Sequence, residues 1–183
     1  QLTARELAET YRVRSIGPAT RVYGLLGSDV LRSLSPAIQN RAFAESGTDA
    51  VYVPLQAESL EAFDEALPAL SLAGFSVTRP YKTRILDRLA HVTDDAAEAG
   101  SANTVVVQEG RLAGLSTDGD GVLVPLRKRI EPGGRTVVVL GAGGAARAAA
   151  FALARAGARV VVLARRVDQA LEVAAAVRCQ AAA

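Results

Sequence analysis

The 183-residue sequence has a single cysteine, no tryptophan, and only four tyrosines and four phenylalanines. One thiol, Cys179, cannot form a disulfide within the chain. No apolar run approaches the roughly 20 residues that a membrane-spanning helix needs. No segment combines the charged start, apolar stretch and small-residue cleavage site of a secretion signal. We therefore expect a globular, cytoplasmic protein with no membrane partner.

A dominant charge is also missing, because 21 lysines and arginines nearly balance 19 aspartates and glutamates, and both signs are scattered along the chain. Nucleic-acid-binding proteins concentrate their basic residues in patches. The sequence therefore predicts no nucleic-acid partner, whereas a small anionic ligand would need only a local basic spot. Half of the composition is apolar, which is enough for one large core or two small ones.

The apolar pattern predicts strands and helices that alternate along the chain. Strands are predicted at 22–26, 51–55, 74–78, 104–107, 111–116, 136–140 and 159–164. Helices are predicted at 36–45, 60–70, 80–89, 119–130, from the glycines after 140 to 156, and at 167–177. Parallel strands need long crossover connections, so this order predicts an α/β fold: a mainly parallel βαβ domain followed by a partial Rossmann nucleotide-binding domain.

Turn-rich segments divide the chain into four predicted parts. Residues 1–20 are a helix and linker, 21–118 the first domain, 119–133 a connecting helix and turn, and 134–183 the partial Rossmann domain. The strand at 136–140 is apolar enough to be a central strand covered on both faces. With only two strands, the last part would leave an unfinished sheet edge, so we expect more chain after Ala183.

A glycine-rich segment, Gly141-x-Gly143-x-x-Ala146, lies between a predicted strand and a predicted helix. In dinucleotide sites the first glycine permits a sharp turn, the second lets the backbone approach a diphosphate, and a small third residue lets helix and strand pack closely. Amides at the start of the helix bind phosphate. A tight turn without a ligand is the structural alternative. The predicted cofactor-binding residues of this loop are Gly141, Ala142, Gly143, Gly144 and Ala145.

Two arginines, Arg165 and Arg166, follow the next predicted strand at the distance where NAD sites usually have an acidic residue. A carboxylate there would repel the extra phosphate of NADP, whereas a guanidinium can bind it with two hydrogen bonds. The alternative is a solvated basic patch at a helix start. The pair predicts NADP as the cofactor.

Polar segments follow several predicted strands of the first domain, where ligands of open α/β sheets bind. Each segment has an ordinary explanation as a cap, a turn or a solvated side chain. Their order is more specific, and from Arg21 onward the chain resembles the shikimate dehydrogenase family. The resemblance rests on Tyr23-Gly-Leu-Leu-Gly27 with Ser33-Leu-Ser-Pro36, on Ser76-Val-Thr-Arg-Pro-Tyr-Lys82, on Ala102-Asn-Thr104, on Ser116-Thr-Asp-Gly119 and on the glycine loop.

The resemblance implies NADPH-dependent reduction of 3-dehydroshikimate to shikimate, a step of aromatic amino-acid biosynthesis, and makes 21–118 the substrate-binding catalytic domain. It also implies the roles of individual residues: Ser33 and Ser35 bind the substrate carboxylate; Thr78, Asn103 and Asp118 hold the ring hydroxyls; Ser76 is a further substrate-binding residue; Lys82 and Asp118 are the catalytic pair. Reduction of a ring ketone needs a proton for the developing alkoxide, and a lysine oriented by a carboxylate can supply it.

Some features depart from the family pattern. Arg32 stands where many members have histidine, and Ser76 is similar to the form found in fusions with dehydroquinate dehydratase, whose linker also resembles residues 2–11. A dehydratase module is therefore an expected partner. Two alternatives stay open: a quinate or shikimate dehydrogenase that prefers NAD, and a non-catalytic shikimate-binding fragment. His91 has no spacing typical of metal ligands, so no metal is expected.

Overall fold

The computed structural model describes residues 2–177 and 180–182. Cys179, which sequence analysis predicts to form no disulfide within the chain, lies outside these residues. The α-helices are α1 (Ala4–Glu9), α2 (Ser35–Glu45), α3 (Leu60–Leu70), α4 (Asp94–Ala99), α5 (Asp118–Arg127), α6 (Gly144–Arg155) and α7 (Val167–Val177). The strands are β1 (Arg21–Gly27), β2 (Ala50–Gln56), β3 (Leu72–Val77), β4 (His91–Val92), β5 (Thr104–Gln108), β6 (Arg111–Leu115), β7 (Thr136–Leu140), β8 (Arg159–Leu163) and β9 (Gln180–Ala182).

The chain forms two compact units. The first consists of Gln1–Tyr81 with Val105–Arg111, and the second of Lys82–Thr104 with Leu112–Ala183. The predicted boundaries at 21, 119 and 134 follow the order of elements along the chain and stay a prediction. Within the part of the chain that the structure describes, no helix has the length and apolarity to cross a bilayer.

In the first unit, strands follow the order β2-β1-β3-β5. Strand β1 is parallel to both β2 and β3, as the long crossovers through α2 and α3 require. Phe63 of α3 packs edge-on against Phe75 of β3, with ring centroids 5.1 Å apart. The side chain of Ser59 caps α3 by accepting a hydrogen bond from the amide of Ala62. The predicted α/β class with a mainly parallel sheet is confirmed.

The buried side chain of Asn40 joins α2 to β2. Its amide nitrogen donates to the carbonyl oxygen of Tyr52 at 2.8 Å, and its oxygen accepts from the amide of Tyr52, also at 2.8 Å. Asn40 is only 2% exposed, so water does not replace these bonds.

The second unit contains the parallel sheet β7-β8-β9 and a parallel pair of β4 with β6. The core of the β7-β8-β9 region combines strand and helix side chains: Ala150, Leu153, Val160, Val162, Ala170, Val173 and Val177. The small residues of α6 let neighbouring elements approach its backbone closely. Helix α5 is one of them, because a β-carbon added to its Gly119 would lie 3.0 Å from Cβ of Ala152 and 3.2 Å from the carbonyl oxygen of Ala148 in α6.

Four predictions of local structure are wrong. Residues 80–89 form a turn, closed by the bond from the Tyr81 amide to the Thr78 carbonyl, and a short 3-10 helix at Arg84–Arg88. The turn places Tyr81 in the core, where it is 1% exposed. Elements β4 and α4 are absent from the sequence prediction, because stretches of two and six residues are too short for a periodic pattern.

The other two errors concern the sheet of the second unit. Strand β7 is not covered on both faces, since Val138 is 51% and Leu140 80% exposed. Its exposed face carries no covering element among residues 2–177 and 180–182, which composition alone does not reveal. The sheet also has a third strand, β9, where the sequence predicts two; its alanines carry no β-branched signal.

We predict that Asn40→Ala lowers the free energy of unfolding by about 2–4 kcal/mol, because the amide and carbonyl of Tyr52 both lose their partner in a buried place. Urea unfolding followed by circular dichroism measures the change. The neighbouring exposed residue gives a matched control: Gln39→Ala should stay within about 0.5 kcal/mol of the parent. Equal effects of the two substitutions would contradict the role of the buried amide.

Candidate functional site

Lys82 and Asp118 form an ion pair in the second unit. The Nζ atom of Lys82 lies 2.6 Å from Oδ2 of Asp118, and the two side chains are 18% and 19% exposed. Lys82 is held by its backbone, because its carbonyl oxygen accepts a hydrogen bond from the amide of Ala102 at 2.9 Å. Asp118 is the first residue of α5, where the helix dipole favours a carboxylate. Residues distant in sequence thus meet at one partly shielded point.

Asn103 holds the carboxylate from the other side. Its amide nitrogen donates to Oδ1 of Asp118 at 3.0 Å and to Oγ1 of Thr117 at 2.9 Å. Its oxygen accepts from the amide of Thr117 at 3.0 Å and from the hydroxyl of Thr104 at 2.9 Å. Both oxygens of Asp118 therefore accept hydrogen bonds, one from lysine and one from asparagine. This arrangement fixes the orientation of the carboxylate.

Sequence reasoning missed the part that two threonines play here. Thr104 and Thr117 orient the Asn103 amide so that its nitrogen faces Asp118. Thr104 is the sequence neighbour of Asn103, whereas Thr117 is 14 residues away and reaches Asn103 only because the two segments meet in space. No local pattern reports such a contact.

The glycine loop turns sharply between β7 and α6. Gly141 has a φ of 111°, a conformation that side chains other than glycine rarely adopt, and its amide donates to the carbonyl of Leu163 at 2.7 Å. Gly143 is the N-cap of α6 and is exposed, and no side chain caps the helix start. The first amides of this 12-residue helix are therefore available to an anion.

A cleft of about 1030 Å³ lies beside this loop. It is lined by most of the predicted cofactor-binding residues and by four that sequence reasoning missed, of which only Gln169 is polar: Leu140, Gly141, Ala142, Gly143, Leu163, Ala164, Arg165, Arg166 and Gln169. The two arginines are exposed at the end of β8. The glycine loop and the arginines thus share one cleft, as a site for a dinucleotide with an additional phosphate requires. Gly144 and Ala145 lie in the first turn of α6.

The predicted substrate residues of the first unit lie in two places. Ser33 and Ser35 are adjacent at the start of α2: the hydroxyl of Ser33 donates to that of Ser35 at 3.1 Å and accepts from the amide of Ser35 at 3.2 Å. Thr78 follows β3, and its amide donates to Leu26 at 2.8 Å. Ser76 of β3 is half-buried, and its hydroxyl makes a hydrogen bond with Tyr52.

The described residues contain no group of three or more histidine, cysteine, aspartate or glutamate side chains placed to hold a metal ion. His91 is exposed at the start of the short strand β4.

The parallel sheet of the second unit, with a glycine loop that opens a helix and two arginines in the same cleft, defines an α/β protein of the dinucleotide-binding class. Residues 25–105 match the family model described as the shikimate dehydrogenase substrate binding domain. The chain belongs to the shikimate dehydrogenase family.

Three relatives show the extent of the similarity. A shikimate dehydrogenase (NADP(+)) of Citrifermentans bemidjiense is 48% identical over 151 residues, which are 80% of this chain and 52% of that protein. The shikimate dehydrogenase of Aquifex aeolicus superposes with a TM-score of 0.85 at 36% identity, covering 92% of this chain and 64% of that one. The enzyme of Thermus thermophilus in complex with NADP(H) and shikimate has a TM-score of 0.79 at 36% identity, covering 90% and 63%. The chain spans about half the length of the curated relatives it matches.

We predict that Tyr52 titrates late in a spectroscopic pH titration. Burial raises the pKa of its phenol, and the Ser76 hydroxyl partly opposes the shift. Because the folded pKa lies above the ordinary value of about 10, the contribution of Tyr52 to stability is fully present below that pH and is lost as the pH rises through the folded pKa. Subtracting the ultraviolet titration of Tyr52→Phe isolates this group.

Ser76→Ala gives the matched test, since removal of the hydroxyl should raise the pKa of Tyr52 further. A Tyr52 pKa at or below the ordinary value, or one that falls in Ser76→Ala, would contradict the burial and the contact.

Proposed function

We propose that the protein reduces 3-dehydroshikimate to shikimate with NADPH, using Lys82 and Asp118 as its acid–base pair. The observation that carries the proposal is the 2.6 Å contact between the lysine ammonium and the aspartate carboxylate. A partly shielded pair of this kind can deliver and recover a proton while keeping its geometry. Similarity to enzymes named as NADP(+) shikimate dehydrogenases supports the choice of reaction.

The chemistry of the reaction divides between the cofactor and the chain. NADPH, when bound, supplies the hydride. Lys82 donates a proton to the oxygen of the ring carbonyl and stabilises the negative charge that develops there. Asp118 keeps the ammonium in place, and the Asn103 amide fixes the carboxylate by donating to its other oxygen. The shielding strengthens the attraction between the ammonium and the carboxylate.

The cofactor fits the residues present in the second unit. The uncapped amides of α6 match a diphosphate, and the exposed position of Gly143 leaves room for close approach. Arg165 and Arg166 would hold the additional phosphate that distinguishes NADP from NAD.

Substrate recognition by the first unit belongs to the same proposal. The paired hydroxyls of Ser33 and Ser35 offer short, fixed donors that suit a carboxylate. Thr78 would bind a ring hydroxyl, and the family resemblance gives Asn103 and Asp118 of the second unit the same role. Ser76 would act through Tyr52, whose hydroxyl it contacts, or on the substrate directly.

We also propose a cytoplasmic location and a dehydroquinate dehydratase module as a fused or associated partner. The resemblance of residues 2–11 to the linker of such fusions and the serine at position 76 support the partner. The single cysteine, which cannot form a disulfide within the chain, fits a reducing compartment and supports the location.

We expect Lys82→Ala to lower kcat for reduction of 3-dehydroshikimate by roughly a hundredfold or more, because the proton donor is lost. The loss of NADPH absorbance measures the rate, and calorimetric titration with shikimate shows that the variant still binds. Lys128→Ala is the matched control, since the sequence has two lysines and Lys128 is exposed at the end of α5.

Near-normal turnover by Lys82→Ala would disprove the assigned role. A chain that binds shikimate but neither binds nor oxidises NADPH would instead support the alternative of a non-catalytic fragment.

We expect replacement of both Arg165 and Arg166 by serine to lower kcat/KM for NADPH about 10- to 100-fold, as loss of a charge-assisted contact of about 1.5–3 kcal/mol would do. The value for NADH should change little. Arg159→Ser removes an exposed arginine from the opposite end of β8 and should leave both values unchanged. A parent protein that prefers NADH would favour the alternative of an NAD-dependent quinate or shikimate dehydrogenase.

A further inference from the structure

The first turn of α6 rests directly on the stem of Lys82. A β-carbon built on Gly144 would lie 2.6 Å from Cβ and 3.3 Å from Cδ of Lys82, and 2.9 Å from Oγ of Ser101. Real β-carbons essentially never approach other heavy atoms within 3.0 Å. Gly144 has no positive φ, so space, not backbone conformation, requires glycine here.

Further along, α6 contacts the residue that follows Asp118. A β-carbon on Gly119 would lie 3.0 Å from Cβ of Ala152 and 3.2 Å from the carbonyl oxygen of Ala148. Gly119 also has no positive φ. One helix therefore contacts Lys82 itself and the immediate neighbour of its carboxylate partner.

Neither the Lys82 segment nor α6 can easily move to relieve these contacts. The carbonyl of Lys82 is bonded to Ala102, and Ser101 is fully buried. Helix α6 is fixed on its other side by the buried residues Ala150 and Leu153. A methyl group added at Gly144 would therefore move Lys82 relative to Asp118.

Neighbouring glycines show that this requirement is local. A β-carbon on Gly143, one residue earlier, or on Gly121, in the same helix as Asp118, would meet nothing within 4 Å. A β-carbon would thus clash at Gly144, be crowded at Gly119 and be free at Gly143 and Gly121, although all four glycines lie in the same two segments.

We infer that α6, the helix that begins at the nucleotide loop, also positions the acid–base pair, and that Gly144 and Gly119 are positioning residues for Lys82 and Asp118. The inference rests on the proposed function for its catalytic meaning. It assigns to Gly144 a role in proton transfer that is separate from cofactor binding.

The test compares Gly144→Ala and Gly119→Ala with Gly143→Ala and Gly121→Ala. We expect the first two to lower kcat about 10- to 100-fold with little change in KM for NADPH, because a shift of about 1 Å at a catalytic group has this effect. Gly143→Ala should instead raise KM for NADPH, since its methyl group faces the cleft. Gly121→Ala should leave both constants unchanged.

A second readout does not depend on activity. The chain has two lysines, Lys82 and Lys128, so acetylation followed by mass spectrometry gives the ratio of their reactivities with an internal reference. In the parent, Lys82 is paired and 18% exposed, and should react slowly. Gly144→Ala and Gly119→Ala should raise the Lys82 to Lys128 ratio several-fold, as should Asp118→Asn. Gly143→Ala and Gly121→Ala should keep the parent ratio.

Circular dichroism establishes that each variant is folded. If Gly144→Ala does not fold, the test rests on Gly119→Ala, whose clash is weaker. The double variant Gly119→Ala/Ala152→Gly removes one of the two close contacts at Gly119. It should bring the Lys82 to Lys128 reactivity ratio part of the way back to that of the parent. Folded Gly144→Ala and Gly119→Ala proteins with the parent lysine ratio would overturn the inference, whatever their kcat. A raised ratio in a protein that does not reduce 3-dehydroshikimate would uphold the positioning and refute the proposed function.

Discussion

The contact between the Lys82 ammonium and the Asp118 carboxylate is the constraint on which the second unit depends. Two charges that are each less than one-fifth exposed lose much of their hydration, and they persist only when their geometry and remaining hydrogen bonds are satisfied. Asn103 meets the second oxygen of the carboxylate, and the Ala102 amide holds the lysine backbone. The segments that carry Lys82, Asn103 and Asp118 are therefore organised around one charge pair.

Helix α6 connects this pair to the nucleotide loop through small residues. Each of the three glycines of the loop is glycine for a different physical reason. Gly141 adopts a positive φ, Gly143 lies exposed at the helix start, and Gly144 leaves space for the lysine stem. A glycine-rich motif read only as a phosphate site would assign all three to the ligand. The side chains around each glycine separate the roles.

Elements fixed by interactions between residues close in sequence were predicted correctly, and features fixed by distant contacts were not. Strong periodicity and a serine cap define α3, and β-branched runs define β7 and β8, so sequence alone locates them. The path of 80–89 depends instead on burial of Tyr81, and the open face of β7 depends on which elements reach it. Both features depend on tertiary contacts, which a short stretch of sequence does not reveal.

The site divides in the same way. Lys82, Asn103 and Asp118 stand in recognisable segments, and the family resemblance predicts that the lysine and the aspartate meet. The orientation of Asn103 by Thr104 and Thr117 required coordinates, because the bond to Thr117 joins two segments that are 14 residues apart in sequence. The close packing of Gly144 against Lys82 was also missed, because phosphate binding already explained the glycine motif.

Because α6 both begins at the nucleotide loop and contacts the segments of the charge pair, it limits how the coenzyme preference of the protein can change. A protein of this kind can exchange one nicotinamide coenzyme for another most safely at the far end of the cleft, where Arg165 and Arg166 are exposed and contact no part of the charge pair among the described residues. Redesign of the loop itself would disturb chemistry and coenzyme choice together. The fold thus separates an adaptable end of the cleft from an end where the fit of Gly144 against Lys82 restricts substitution.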